Sequence, residues 1–313
     1  MGLFEKARAV IVGHAVADAL GVPVEFNGRE WLRKNPVTEM TGYGTHPVPA
    51  GAWSDDTTMA LCALDTIYRD REIDFESVMI NFTQWYYADC YTPTGKLFDI
   101  GNTCAQAIEN YFVKGVSPTS CGQTGESSNG NGSLMRIHPF TLHLYGSDMS
   151  IEDKISIIHK ASALTHGHQR SLIGCGIYSF ILWELLSCPE KESVYKGLAR
   201  ADEFYKNYGE NQAYERLYNV IGNKDIVVTE DGVRSSGYVV DSLEAAVWCL
   251  LTTDSYKECV LKAVNLGEDT DTVGAIAGGL AGALYGYDSI PREWLNTLIK
   301  LDYIEQMCEK AYK

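Results

Sequence analysis

The stretch Asn265-Leu-Gly-Glu-Asp-Thr-Asp-Thr-Val-Gly-Ala-Ile-Ala-Gly-Gly-Leu-Ala-Gly-Ala283 decides how this chain folds. Three carboxylates (Glu268, Asp269, Asp271) and two threonines (Thr270, Thr272) stand directly before a helical pattern of small residues. One N-cap needs one short polar side chain, so the segment carries more hard oxygen donors than capping requires. Behind it, Ala275, Ala277, Gly278, Gly279, Ala281, Gly282 and Ala283 predict a helix over 272–285 that its neighbours can approach very closely. Glycine inside a helix costs about 0.5–1 kcal/mol relative to alanine. A helix this poor in intrinsic propensity must be stabilised by tight burial, which places it at the centre of a helical bundle.

Outward from that segment, helical periodicity dominates. Helices are predicted over 4–20, 56–68, 75–88, 103–112, 151–164 and 171–186, then over 242–251, 256–263 and 292–310. Ser150 ahead of Asp153, Asp74 ahead of Ser77, and Pro291 at a first-turn position mark three of the starts. No series of alternating strands is present, and Val227-Val228-Thr229 is the best single strand candidate. Long loops are expected at 27–52, 91–101 and the Gly/Ser/Asn-rich 122–132. With no repeat and no boundary, the expectation is one all-α domain over residues 1–313.

The composition, 45% hydrophobic and 21% charged, is that of a globular protein with ample material for a core. A net charge of −15 argues against general nucleic-acid binding or an anionic membrane surface. It leaves room for an anionic small ligand, because a bound cation reverses the local sign. The nine cysteines follow no C-x-x-C spacing and fall in apolar segments, as buried reduced thiols do. The apolar stretch 7–20 is interrupted by Arg8, His14 and Asp18, which fits neither a signal peptide nor a membrane span. The expected location is cytoplasmic.

A second acidic cluster, Ser54-Asp55-Asp56-Thr57, repeats the character of Asp269-Thr270-Asp271-Thr272: short carboxylates and hydroxyls at a helix start. Capping and the helix dipole, each worth about 0.3–2 kcal/mol, account for either cluster alone. They account less well for both, since adjacent buried carboxylates repel each other unless a cation neutralises them. Oxygen-only donors fit Mg²⁺ or Mn²⁺ better than zinc. The turn Asn129-Gly-Asn-Gly-Ser-Leu-Met-Arg136 exposes backbone N–H groups toward an anion, or is a flexible loop capped at Ser133. Thr165-His-Gly-His168 lacks a partner at zinc spacing, which favours ligand hydrogen bonding or a helix-end charge effect. His14, inside an apolar helix, reads as a satisfied core histidine. Glu25 and Asp99 are acids flanked by hydrophobic residues, read either as surface-loop acids or as carboxyls whose raised pKa suits proton transfer.

Taken together these segments resemble the ADP-ribosylglycohydrolase family over nearly the whole chain. The resemblance runs through Asp18-Ala-Leu-Gly-Val-Pro-Val-Glu-Phe26, Trp53-Ser-Asp-Asp-Thr-Thr-Met59, Phe98-Asp-Ile-Gly-Asn-Thr103 and Gly130-Asn-Gly-Ser-Leu-Met-Arg136. It continues in Thr165-His-Gly-His168, Gly237-Tyr-Val-Val-Asp-Ser-Leu-Glu-Ala-Ala246 and Gly267-Glu-Asp-Thr-Asp-Thr-Val-Gly-Ala275. It implies an orthogonal all-α multi-helix bundle with two Mg²⁺ or Mn²⁺ ions, ligated by Ser54, Asp55, Asp56, Asp269, Asp271 and Thr272. It implies that Gly132-Ser133-Leu134-Met135 holds the phosphates of ADP-ribose, that His166 contacts the ligand, and that Glu25 and Asp99 lie near the scissile bond. Gly101, Asn102, Asn131 and Tyr238, in the same motifs, join the substrate-binding candidates. Two departures are small: Ala17 stands where glycine is common, and Ser54 where threonine is frequent.

The implied activity is metal-dependent hydrolysis of the bond between the anomeric carbon of ADP-ribose and a protein side chain, with arginine the leading acceptor. Serine-linked, nucleic-acid-linked and small-molecule ADP-ribosyl substrates are alternatives. So are a silent ADP-ribose-binding or structural relative and an unrelated magnesium-dependent phosphohydrolase.

Overall fold

We describe a computed structural model of the chain, covering residues 2–70 and 72–313. The elements run α1 (Leu3–Gly21), α2 (Arg29–Lys34), α3 (Asp55–Asp70), α4 (Phe75–Ala88), α5 (Asn102–Phe112), α6 (His138–Tyr145) and α7 (Ile151–Ala163). They continue with α8 (Gln169–Ser187), α9 (Lys191–Tyr205), α10 (Val239–Leu251), α11 (Tyr256–Val264), α12 (Thr270–Tyr285), α13 (Arg292–Thr297) and α14 (Leu301–Tyr312). Among the described residues there is no strand, only isolated bridges pairing Gln123 with His166 and Gly130 with Tyr238.

The small-residue helix α12 lies where its composition requires. It is buried without interruption from Thr270 to Gly282 and packs along α1, with α8, α10 and α11 also against it. The α1–α12 approach is backbone to backbone. A Cβ at Gly13 would sit 2.7 Å from the carbonyl oxygen of Gly278, and one at Gly282 would collide with Ala9. The methyl of Ala17 fits because position 278 opposite it is glycine. Further along, Gly21 is needed: a Cβ there would run into the backbone of Asp271. Glycine's low helix propensity is therefore exchanged for contact that carries the start of α12 up to the end of α1.

By length and composition α1 could cross a membrane (mean hydropathy 1.4), yet it is buried inside the protein against α12 and α14. His14 is buried on it, 4.3 Å from the His138 ring. Among the described residues no bond of strict geometry reaches the nitrogens of His14, but the backbones of Asp56 and Ala275 approach the ring as weak hydrogen-bond partners, in keeping with a core histidine. Burial pushes its pKa down to about 3, so the ring is neutral.

Three expectations need correction. The single helix over 292–310 is broken into α13 and α14 at Lys300, whose φ of 54° is left-handed. Residues 227–229 are irregular, with Val227 at 91% exposure, because no sheet exists for them to join. Helices α2, within the loop expected over 27–52, and α6 were absent from the expectations, as was α9. Gly197 interrupts its propensity, but a Cβ there would strike Ile181 Cα at 2.6 Å, so the glycine serves close packing on α8.

Candidate functional site

The two acidic clusters meet because the starts of α3 and α12 are brought together across α1. Neither cluster is wholly consumed by capping, although Ser54 Oγ accepts from the Asp56 amide at 3.3 Å and Asp271 Oδ1 from the Thr272 amide at 2.9 Å. At α3 the cap is supplied from α1. Asp18 Oδ1 accepts from the Ser54 amide at 2.9 Å, and Asp18 Oδ2 accepts from the Thr57 amide at 3.0 Å and its hydroxyl at 2.6 Å. At α12, Asp269 holds the cap position but its side chain makes no cap hydrogen bond. Its Oδ2 accepts instead from Asn131 Nδ2 at 2.8 Å. Asp55, Asp56 and Asp269 are thus free of capping, while Asp271 gives one oxygen to the first turn of its own helix.

They face one another. Asp56 Oδ2 accepts from Ser54 Oγ at 2.9 Å and from Thr272 Oγ1 at 3.3 Å, joining α3 to α12. Asp55 Oδ2 accepts from the Gly101 amide at 3.2 Å, which holds the start of α5 beside it. Oxygen atoms of Glu25, Asp269 and Asp271 lie within 4.8 Å of one another, as do ligand atoms of Glu25, His46 and Asp99. All these groups border a cavity of about 360 Å³ except Ser54, Asp56 and His46, which stand just behind its wall.

Glu25 is set in place by its neighbours' backbone. The Phe26 amide donates to Glu268 O at 2.7 Å, and the Glu268 amide donates to Asn27 O at 2.8 Å. Both Phe26 and Glu268 have φ of 65°. Left-handed residues other than glycine cost on the order of 1 kcal/mol or more each. The two-bond exchange locks the Glu25 loop to the Asp269 loop. It also explains why Glu268, which is exposed, belongs to the acidic stretch: its backbone, not its carboxylate, is used.

The electrostatics are severe. None of the cavity-lining residues is a lysine or arginine. Burial, reinforced by neighbouring carboxylates, raises Asp55, Asp56 and Asp271 well above the usual carboxylate range. Asp18 is pushed up to about 6 by burial, against the hydrogen bonds from Thr57 and Ser54. Burial lifts Glu25 to about 7, opposed by the hydrogen bond from His46 and reinforced by Asp99. Asp99 is raised by burial, and His46 is raised by its hydrogen bond to Glu25. Two buried oxygens, Asp56 Oδ1 and Asp269 Oδ1, have no partner among the described residues. A crowded, uncompensated set of hard oxygen donors is the environment a divalent cation neutralises.

Opposite the acids, Gly101, Asn102, Asn131, Gly132, Met135 and His166 line the same cavity. Asn131 also braces the acidic side through its bond to Asp269, and its amide donates to Gly237 O at 3.0 Å. Ser133, Leu134 and Tyr238 do not line the cavity. Leu134 is in the core, and the Ser133 hydroxyl turns inward, accepting from Ser162 Oγ at 2.9 Å. The Tyr238 ring lies 5.8 Å from the Arg170 guanidinium, outside the wall that Gly237 forms. His168 accepts from the Arg170 amide at 3.2 Å and so caps α8.

Beside lining residues such as Phe26, Thr103 and Cys104, two charged or titratable residues of the site escaped the sequence reading. Asp18 lay in a quoted motif without a role; an acid in an apolar helix was the signal. His46 sits in the long 27–52 loop, where no periodicity marks it, and only the fold brings its Nε2 to 2.5 Å from Glu25 Oε2.

Comparison with known proteins gives one consistent relationship. A family model described as ADP-ribosylglycohydrolase matches residues 1–313. ADP-ribosylarginine hydrolase Tri1 of Serratia proteamaculans is 32% identical over 311 residues, covering 98% of this chain and 79% of that one. The ADP-ribosyl-[dinitrogen reductase] glycohydrolase of Rhodospirillum rubrum is 29% identical, covering 94% of this chain and 90% of its own. A solved structure described as an ADP-ribosylglycohydrolase-related protein complex superposes with a TM-score of 0.82 at 30% identity, covering 99% and 98% of the two chains.

Proposed function

The chain belongs to the ADP-ribosylglycohydrolase family, and from that premise we propose that it is a metal-dependent hydrolase that removes ADP-ribose from a modified arginine side chain. The observation that carries this reading is the convergence of carboxylates freed from capping with Glu25 and Asp99 on one cavity. The relative named as an ADP-ribosylarginine hydrolase supports the acceptor. So does the acidic wall, because a guanidinium is recognised by carboxylates with which it forms paired hydrogen bonds.

The donor set suits two Mg²⁺ or Mn²⁺ ions, held by Ser54, Asp55, Asp56, Asp269, Asp271 and Thr272. The orphaned Asp56 Oδ1 and Asp269 Oδ1 are the oxygens most in need of a cation. When bound, the ions supply positive charge that polarises ribose and water oxygens.

The residues of the chain divide the remaining work. The glycine turn at 130–132 and His166 face the ADP-ribose side of the cavity. Asp99 receives the guanidinium. Water attacks the anomeric carbon as the carbon–nitrogen bond breaks, and the positive character developing on the ribose is stabilised by the surrounding carboxylates. Glu25 takes the proton from the attacking water and returns it to the departing guanidine nitrogen, so that free ADP-ribose and an unmodified arginine result. Burial raises the Glu25 carboxyl to about 7 in the cation-free site, and bound cations would bring it down toward the ionised form that a general base needs.

The test is product analysis with arginine-, serine- and nucleic-acid-linked ADP-ribose, with and without Mg²⁺ or Mn²⁺. Free ADP-ribose from the arginine conjugate, dependent on the cation, is expected. Release of inorganic phosphate, or cleavage confined to another linkage, would overturn the reading.

A further inference from the structure

Arg136 is fully buried, yet among the described residues no carboxylate meets it. Its Nη2 donates to Thr165 Oγ1 at 2.8 Å and to Ala161 O at 3.3 Å, and its guanidinium lies 4.9 Å from the Phe82 ring centre. Among the described residues Nε and Nη1 have no partner. Burying an unpaired cation is costly, so its placement calls for a use.

That use lies one bond further on. Thr165 Oγ1 is 2.9 Å from His166 Nδ1. A hydroxyl has one hydrogen and two lone pairs, and a guanidinium has only donors. Arg136 therefore occupies a lone pair of Thr165 and leaves its hydrogen to be placed. The candidates are His166 Nδ1 and the neighbouring thiol of Cys104, whose interaction with Thr165 is the weaker because sulfur is a poor acceptor. The opposite assignment would aim an Nδ1–H at an oxygen already loaded by a cation, placing positive hydrogen against positive charge. A donor polarised by an adjacent guanidinium is also strengthened. Thr165 thus donates to Nδ1. Burial and Arg136 hold His166 neutral, with its pKa pushed down to about 3. A neutral imidazole that accepts at Nδ1 carries its proton on Nε2.

The other edge of the ring faces the cavity. A Cβ at Gly130 would lie 3.4 Å from Nε2, and one at Gly132 would lie 2.9 Å from Cε1. The two glycines leave that edge uncovered. We propose that Arg136 and Thr165 are positioning residues that lock His166 in its Nε2–H tautomer, so that it presents a fixed donor to an acceptor oxygen of the ADP-ribosyl ligand. The identity of that ligand rests on the function proposed above; the tautomer does not.

The test is long-range ¹H–¹⁵N correlation NMR on the full chain labelled with ¹⁵N-histidine, His166 being assigned by loss of its signals in His166→Gln. ADP-ribose affinity is measured in parallel with Mg²⁺ present. Wild type and Thr165→Ser are expected to show the Nε2–H pattern and equal affinity. Thr165→Val is expected to lose the pattern and to bind ADP-ribose about tenfold more weakly, the effect of one hydrogen bond lost. An Nδ1–H pattern in wild type would overturn the proposal. So would an unchanged Nε2–H pattern in Thr165→Val, or failure of Thr165→Ser to rescue. A wild-type protein that shows the pattern but binds no ADP-ribose would refute the ligand and with it the donor's target, while the tautomer stands on its own spectrum.

Discussion

Asp18 Oδ2 accepts both the amide of Thr57, at 3.0 Å, and its hydroxyl, at 2.6 Å, so α3 is capped by a residue of α1. This substitution of caps leaves Asp55 free to line the cavity and Asp56 free to bond Ser54 and Thr272 behind its wall. Asp18→Ala removes the cap and is expected to lower stability by about 2 kcal/mol and to weaken Mn²⁺ binding. Asp18→Asn retains one acceptor oxygen and falls between the two. Thermal denaturation and calorimetric Mn²⁺ titration measure both effects. If Asp18→Ala were more stable than wild type, charge relief would outweigh capping.

Asp55→Asn and Asp271→Asn remove a charge from a cluster that its own members destabilise. Without cations both variants are expected to be at least as stable as wild type. Turnover of an ADP-ribosyl-arginine substrate should fall a hundredfold or more, and Mn²⁺ affinity should fall with it. Wild-type turnover in the metal-stripped Asp271→Asn protein would contradict the assignment.

The stability of the cation-free protein depends on pH in a defined direction. Glu25 titrates at about 7 in the folded state against 4.5 as its ordinary value. The folded state therefore holds more protons between those values, and stability falls as pH rises through that window. Asp18, Asp55, Asp56 and Asp271, all raised, act in the same sense. Saturating Mg²⁺ should cancel the slope, so the gain in Tm on adding Mg²⁺ grows from pH 4.5 to 7. A Tm that rises with pH in EDTA would show that the cluster is not strained.

His46 acts on Glu25 through the 2.5 Å contact between Nε2 and Oε2. Its hydrogen bond holds the Glu25 pKa down, so His46→Ala should let it rise. With Glu25 as base, the acidic limb of kcat/KM moves to higher pH while KM stays near the wild-type value. A pH profile superimposable on that of wild type would remove His46 from the mechanism.

Much of the centre was legible in the sequence because its signals are local. Small residues over 272–285 require close neighbours, and Asp55, Asp56, Asp269 and Asp271 exceed what two caps need. The remainder depends on tertiary placement. Asp18 reaches α3 only because α1 crosses its start, and His46 reaches Glu25 from a loop without periodicity. Ser133 lies in the quoted turn, yet its hydroxyl is claimed by Ser162 in the core, a choice of side-chain direction that no motif encodes. Lys300 has an ordinary helical residue type but a left-handed backbone, so the break between α13 and α14 left no mark in the pattern.

The central claim is that the two acidic clusters hold the cations that orient ADP-ribose. Anomalous diffraction from crystals grown with Mn²⁺ and ADP-ribose tests it most directly. Two manganese peaks are predicted between the Asp55–Asp56 pair and the Asp269–Asp271 pair, with the ribose against them and the diphosphate toward Gly132 and His166. Manganese elsewhere, or ADP-ribose bound in this cavity with no metal between those aspartates, would contradict the account.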